Sequence, residues 1–243
     1  MKNLLITGGM GKIGSYFIQN FDHLYNITAA DIRTTNGVFQ DHVKIETVDL
    51  QDYSNCLLLC QGIDTVIHLA ALVDPDSEAD TVLNTNIQIT QNIFKATVEA
   101  QCQRLIYASS AQTIESYPTD IQIHKDMHIR PKNLYGVSKC FGEALAAYYS
   151  YNKGLSAICL RIGAYEFPED HTEMNARDLS AYLHPDDFNQ LLVGCIATES
   201  IQFEVLNAIS NNRYKRLDIS EAREKVGYLP QADGFELFQL KGQ

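Results

Sequence analysis

Tyr135 and Lys139 stand four residues apart in the string Tyr-Gly-Val-Ser-Lys, so on a helix their side chains share one face. An ammonium beside a phenol favours the phenolate, and such a phenolate is a general base able to take a hydroxyl proton near neutral pH. Tyr149 and Lys153 repeat the spacing, but they fall at the end of the same predicted helix, next to Gly154, where exposure is expected. Ser109 and Ser110 follow a predicted strand. A serine there can orient a substrate hydroxyl toward Tyr135, or it can act simply as a cap or turn residue.

A second constellation lies at the N-terminal end. Thr7-Gly8-Gly9-Met10-Gly11-Lys12-Ile13-Gly14 falls where a strand should turn into a helix. Glycines at 8, 11 and 14 allow a tight turn, a close backbone approach to a diphosphate, and close packing of helix on strand. The helix start adds free N–H groups and partial positive charge for phosphate oxygens. Asp31 ends the next predicted strand, where a carboxylate accepts hydrogen bonds from ribose hydroxyls. It would repel a 2′-phosphate, which selects NAD over NADP; Arg33 is the one neighbour that softens this preference.

These residues need a frame that brings them to one edge. Short β-rich runs over 3–7, 26–30, 43–48, 64–69, 104–108 and 155–161 alternate with helical stretches, including 11–21, 78–100 and 133–153. That alternation predicts βαβ units: an α/β fold of the Rossmann type, a doubly wound parallel sheet with helices on both faces. Along 133–153, Leu134, Val137, Phe141, Leu145 and Tyr148 repeat at helical spacing and are expected to face the sheet. Beyond Arg161 the pattern loosens. A helix over 186–198, a strand over 202–206 and a helix over 220–226 are predicted there. The division expected is a dinucleotide-binding domain over 1–162 and a small C-terminal substrate-binding annex over 163–243.

Composition narrows the function classes. The 243 residues carry 19 Lys and Arg against 30 Asp and Glu, a formal charge of −11, which repels nucleic-acid phosphates. No apolar run approaches the ~20 residues that span a bilayer. The start, Met-Lys-Asn before Leu4-Leu5-Ile6-Thr7, predicts no secretory signal. Six cysteines without a Cys-x-x-Cys pair predict reduced, buried thiols in a cytoplasmic protein, and no metal site. His124 and His128 fall in a predicted loop, Arg161 is expected to pair with an acid, and Glu166, Glu169 and Asp170 read as a solvated acidic loop.

Together the glycine string, Asp31, Asp49-Leu50, His68-Leu69-Ala70-Ala71, Asn86, Ser109-Ser110 and Tyr135-x-x-x-Lys139 come in an order that resembles the extended short-chain dehydrogenases, the NAD-dependent epimerase/dehydratase family. The resemblance covers residues 1–165. In its C-terminal part the chain is most similar to the uronate dehydrogenase branch, through Leu160-Arg161-Ile162-Gly163, Arg177–Leu183 and Val226–Pro230. The resemblance implies a Ser110/Tyr135/Lys139 catalytic triad and an NAD site built from Gly8, Gly11, Lys12, Ile13, Gly14, Asp31, Asp49, Leu50, Leu69, Ala70, Ala71, Asn86, Tyr135, Lys139 and Ile162. It implies a substrate site of Ser109, Ser110, Ala111, Tyr135 and Arg177, the guanidinium clamping a substrate carboxylate. The implied activity is NAD-dependent oxidation of a sugar or sugar acid by a homodimer. The alternatives are a nucleotide-sugar epimerase or dehydratase, and a non-catalytic NAD-binding regulatory protein. Two departures bear on the substrate pocket: Ala111-Gln112 replaces the Asn-His of the branch, and Ile114-Glu115 replaces the Tyr-Gly of the wider family.

Overall fold

The computed structural model describes residues 1–33, 39–73 and 79–241. Its elements in chain order are β1 (Asn3–Thr7), α1 (Lys12–Phe21), β2 (Asn26–Asp31), β3 (Lys44–Thr47), α2 (Tyr53–Leu59), β4 (Thr65–His68), α3 (Ala79–Glu99), β5 (Arg104–Ser110) and α4 (Leu134–Lys153). There follow β6 (Ser156–Ile162), β7 (Ala164–Tyr165), β8 (Glu173–Met174), α5 (Ala176–Ser180), β9 (Tyr182–Leu183), α6 (Pro185–Ala197), β10 (Phe203–Ala208), α7 (Ser220–Val226), α8 (Gly234–Leu237) and β11 (Gln239–Leu240). The expected strands and helices fall within a few residues of these bounds; position 78, the expected start of the third helix, lies outside the described residues.

Seven strands form one parallel sheet in the order β10-β6-β5-β4-β1-β2-β3. The order reverses between β1 and β4, and the crevice beyond the carboxyl ends of those strands is where open α/β sheets bind ligands. Strands β4 and β5 are buried at every position, as expected where helices cover both faces. The strand alternation divides the core in two. Leu4 and Ile6 of β1 pack with Phe17 of α1 and Phe188 and Leu192 of α6, whereas Leu5 packs on the opposite face with Ile93 and Phe94 of α3. The last strand of the sheet, β10, comes from the C-terminal part and pairs with β6 along its length.

Helix α4 starts from Asn133, whose side chain accepts the Gly136 N–H at 2.8 Å, and ends at Gly154 in the left-handed conformation. Its orientation corrects the expected apolar stripe. The buried positions are Gly136, Ser138, Lys139, Cys140, Gly142, Glu143, Ala146 and Ser150. Val137 and Tyr148 are instead 37% and 50% exposed, and Leu134, Phe141 and Leu145 are half-buried on the flank. Two causes turn the helix. A Cβ at Gly142 would meet the Tyr107 ring at 2.2 Å, so the helix lies on β5 only through glycine. Glu143, moreover, is drawn inward by a buried cation. Arg161 of β6 grips the Glu143 carboxylate with two hydrogen bonds of 2.9 Å, and Ser109 of β5 donates to it at 2.6 Å. The acid expected for Arg161 is therefore Glu143.

The C-terminal part is tied to the sheet by polar contacts. Arg104 at the start of β5 donates to the Cys195 and Thr198 carbonyls at the C-terminal end of α6. Lys12, in the glycine turn, binds Glu166 at 2.6 Å and Asp170 at 2.7 Å. Glu169 and Asp170 are exposed, as expected of a solvated loop, whereas Glu166 is half-buried; a cation from the other end of the chain pairs with Glu166 and Asp170.

Candidate active site

The glycine turn between β1 and α1 is built as a cradle. Gly8 has φ +72°, and a Cβ there would lie 2.8 Å from the Ala70 nitrogen. A Cβ at Gly14 would lie 2.6 Å from the Gly8 carbonyl oxygen. Gly11 precedes α1 with no side chain capping the helix, so the first-turn N–H groups keep their capacity for an anion. Above the turn lies a cleft of about 600 Å³. It is lined by Gly8, Gly11, Lys12, Ile13, Gly14, Asp31, Asp49, Leu50, Leu69, Ala70 and Ala71, eleven of the positions expected to hold NAD. Ile32, Arg33, Val48, Gln51, Leu72, Val73, Thr85 and Ile89 complete the wall. Most of these adjoin a motif residue at the carboxyl end of β2, β3 or β4; that convergence is the signal by which sequence reasoning could have included them.

Asp31 is buried and accepts the Met10 N–H at 3.1 Å, the Arg33 N–H at 3.0 Å and the Arg33 Nε at 3.2 Å. Three donors hold its carboxylate at the cleft wall, the placement that ribose hydroxyls require. A dinucleotide fits this donor set: a side-chain-free turn and helix start for the diphosphate, a fixed carboxylate for the ribose diol, and apolar walls for a base.

Asn86 does not line the cleft. Its Oδ1 accepts the Leu72 N–H at 2.7 Å and its Nδ2 donates to the Leu72 carbonyl at 3.0 Å, so it fixes the segment that forms the cleft wall. Its Nδ2 also reaches Ser138 of α4 at 3.4 Å. His68 is fully buried, with Nδ1 2.7 Å from the Thr7 hydroxyl. Burial, assisted by the charge of Lys139, holds its pKa down at about 3, so the ring is neutral.

The triad residues meet at the carboxyl end of β5. Ser110 ends that strand, and its hydroxyl accepts the Gln112 N–H at 3.1 Å in the following turn of 3-10 helix (Ala111–Thr113). The Tyr135 side chain lies beside Ser110. Burial pushes the phenol up to about 12, and the neighbouring Ser110 hydroxyl opposes that rise. Lys139 lies one turn on, with its Nζ donating to the Ala108 carbonyl at 2.8 Å and standing 5.4 Å from the centre of the Tyr135 ring. Burial brings the ammonium down to about 7. Desolvation thus displaces both groups toward their neutral forms, with the ammonium still within reach of the phenol ring. Tyr149, the other tyrosine at this spacing, stacks on Phe94 near the far end of α4.

Other expected positions are distributed differently. Ile162 pairs in register with Ser110 across β5 and β6, which places it beside the triad. Ser109 is buried with its hydroxyl given to Glu143, and Ala111 is buried in the core. Arg177, on α5, donates through Nε to Glu115 Oε1 at 2.8 Å, through Nη2 to the second oxygen of the same carboxylate, and through Nη1 to Asp178 at 2.7 Å. Glu115 was not among the expected site residues; it stood out in the sequence only as a departure from the family pattern. Among the described residues, no group of three or more His, Cys, Asp or Glu side chains could hold a metal ion, and no helix is long and apolar enough to cross a membrane.

A profile of the NAD dependent epimerase/dehydratase family matches residues 4–185. The uronate dehydrogenase of Pseudomonas syringae pv. tomato is 29% identical over 241 residues, 98% of this chain and 84% of that protein. The L-arabinose 1-dehydrogenase (NAD(P)(+)) of Haloferax volcanii is 30% identical over 251 residues, 95% of this chain and 97% of the relative. Among solved structures, a tyrosine-to-alanine variant of Agrobacterium tumefaciens uronate dehydrogenase complexed with NAD superposes with a TM-score of 0.88 at 27% identity, covering 97% of this chain and 87% of that one.

Proposed function

As the chain belongs to the NAD-dependent epimerase/dehydratase family, we propose that it is an NAD-dependent oxidoreductase that dehydrogenates a hydroxyl of a sugar or sugar acid. The observation that carries this reading is the placement of Tyr135 and Lys139 on α4 beside Ser110 at the carboxyl end of β5, next to a glycine cradle with a fixed carboxylate. NAD, when bound, supplies the two-electron acceptor. Ser110 orients the substrate hydroxyl toward Tyr135, and Tyr135, as the phenolate, takes the hydroxyl proton. Lys139, charged at little cost near pH 7, stabilises the phenolate form of Tyr135 that must exist before that transfer. Gly8, Gly11 and Gly14 keep the diphosphate site free of side chains, and Asp31 takes the ribose hydroxyls. The relatives named as uronate and arabinose dehydrogenases support the substrate class. Residues 163–243 complete the substrate side of the site.

We place the protein in the cytoplasm, a reading supported by six buried free thiols. We also read it as a homodimer, because Val137, Tyr148 and Tyr151 leave apolar surface exposed along α4. Light scattering on the purified protein that returned a monomer mass would overturn the dimer.

The test of function is NADH formation with a panel of aldoses and uronates. Tyr135→Phe removes the base but keeps the ring, and the rate is expected to fall by roughly 10²–10⁴-fold while NAD binding survives. A variant that keeps the wild-type rate would refute the assignment.

A further inference from the structure

The site reading leaves open whether the sugar carries a charge, and Arg177 and Glu115 bear on that choice. Both belong to segments that leave the sheet beside the triad. Glu115 follows Ser110 by five positions, directly beyond the 3-10 turn. The N–H of Ser116 bonds the Arg130 carbonyl, which ties this segment to the approach to α4. Arg177 sits on α5, reached from the end of β6, and β6 pairs with β5 so that Ile162 lies opposite Ser110. The ion pair therefore bridges the two segments that rise from the strand ends at Ser110.

A guanidinium recognises a carboxylate through two parallel N–H groups, and here Nε and Nη2 present them. Both point to Glu115, and Nη1 is held by Asp178. The second guanidinium nearby, Arg216, offers no fork, because only its Nε lacks a partner and that atom is buried. It is buried, and its Nη groups donate to the carbonyls of Tyr117, Pro118 and Ile121. Its charge interacts with those of Glu115, Arg177 and Asp120. At Arg177 itself, two carboxylates, Glu115 and Asp178, already face one guanidinium. A substrate carboxylate arriving here would meet surplus negative charge and an occupied fork. Displacing Glu115 is no remedy, because its side chain is only 8% exposed and would become an unpaired, largely buried anion.

We infer that the substrate is a neutral aldose rather than a sugar acid, with Glu115 as the specificity-determining residue that occupies Arg177 internally. This rests on the sugar-oxidoreductase reading and narrows it. Oxidation at the anomeric carbon then gives a lactone: the C–H hydride passes to NAD⁺, the hydroxyl proton to Tyr135, and a C=O bond forms.

The experiment compares kcat/KM with NAD⁺ for matched pairs, galactose against galacturonate and glucose against glucuronate. Wild-type protein is expected to favour the aldose by at least about tenfold, the scale of one charge-assisted hydrogen bond. Glu115→Gln keeps the shape and removes the charge. It is expected to raise the uronate-to-aldose ratio of kcat/KM by at least about tenfold, chiefly through a lower KM for the uronate. A general loss of packing would not produce that selective shift. If Glu115→Gln folds poorly, Glu115→Ser and the wild-type comparison carry the same test. Wild-type preference for the uronate, or a ratio unmoved by removing the Glu115 charge, overturns the inference and leaves the oxidoreductase reading intact. Protein that binds NAD but oxidises neither class overturns the oxidoreductase reading, and the inference with it.

Discussion

Removing Arg161 tests the anchoring of the catalytic helix. Its side chain is 4% exposed, that of Glu143 8% exposed, and they share two hydrogen bonds of 2.9 Å. Arg161→Met fills most of the volume but leaves the Glu143 carboxylate buried, with Ser109 as its remaining donor. Breaking one side of a buried pair costs about 3–5 kcal/mol. For a chain of this size each kcal/mol lowers Tm by about 2–4 °C, so the variant should melt roughly 6–20 °C below wild type. The double variant Arg161→Met/Glu143→Leu removes both charges and leaves the Ser109 hydroxyl without its acceptor, a cost of about 1–3 kcal/mol before any apolar gain; the Lys125 carbonyl loses its Arg161 donor in both variants alike. It should therefore melt above the single variant. Circular dichroism melts of the three proteins under one condition give the answer. A single-variant loss below about 3 °C, or a double variant no better than the single, would show that the buried pair does not hold α4.

Two further outcomes follow from other parts of the site. Gly14→Ala sets a methyl group 2.6 Å from the Gly8 carbonyl and 2.9 Å from the Gly9 Cα, so the cradle must shift. NAD affinity by fluorescence titration should weaken at least about tenfold with the far-ultraviolet spectrum retained, and unchanged affinity would remove the turn from the cofactor site. Lys139 titrates near 7 when folded and at its ordinary 10.5 when unfolded. Between those values the unfolded chain holds a proton that the native state lacks, so wild-type stability rises with pH and is lost again as pH falls toward 7. Lys139→Met lacks this slope. Its stability advantage near pH 7, at most about 5 kcal/mol, should shrink toward pH 10 in urea unfolding, and a constant difference would refute the burial argument.

What the sequence made legible was local. The glycine turn, Asp31 and the Tyr135/Lys139 pair are read from short spacings that flanking strands and helices confirm. The α/β alternation likewise follows from neighbouring runs. What escaped depends on partners distant in the chain. The apolar period along α4 marked a stripe but not the surface it meets, and the close seat of Gly142 on Tyr107 together with Arg161 turned a different face inward. The ion pairs of Glu166 and Asp170 escaped because their cation, Lys12, lies more than 150 positions away. Arg177 looked like a free clamp because nothing in the local sequence pairs it with Glu115, 62 positions earlier.

The spacing along α4 has a consequence for tolerance to length change. Tyr135, Lys139 and Glu143 repeat every four residues, so base, ammonium and anchor form a ruler along one side of the cylinder. Adding or deleting one residue between Tyr135 and Glu143 rotates one end against the other by about 100°. The segment could then keep its grip on Arg161 or its aim at Ser110, but not both. The residue count between those points is therefore fixed even where single side chains on this helix can change.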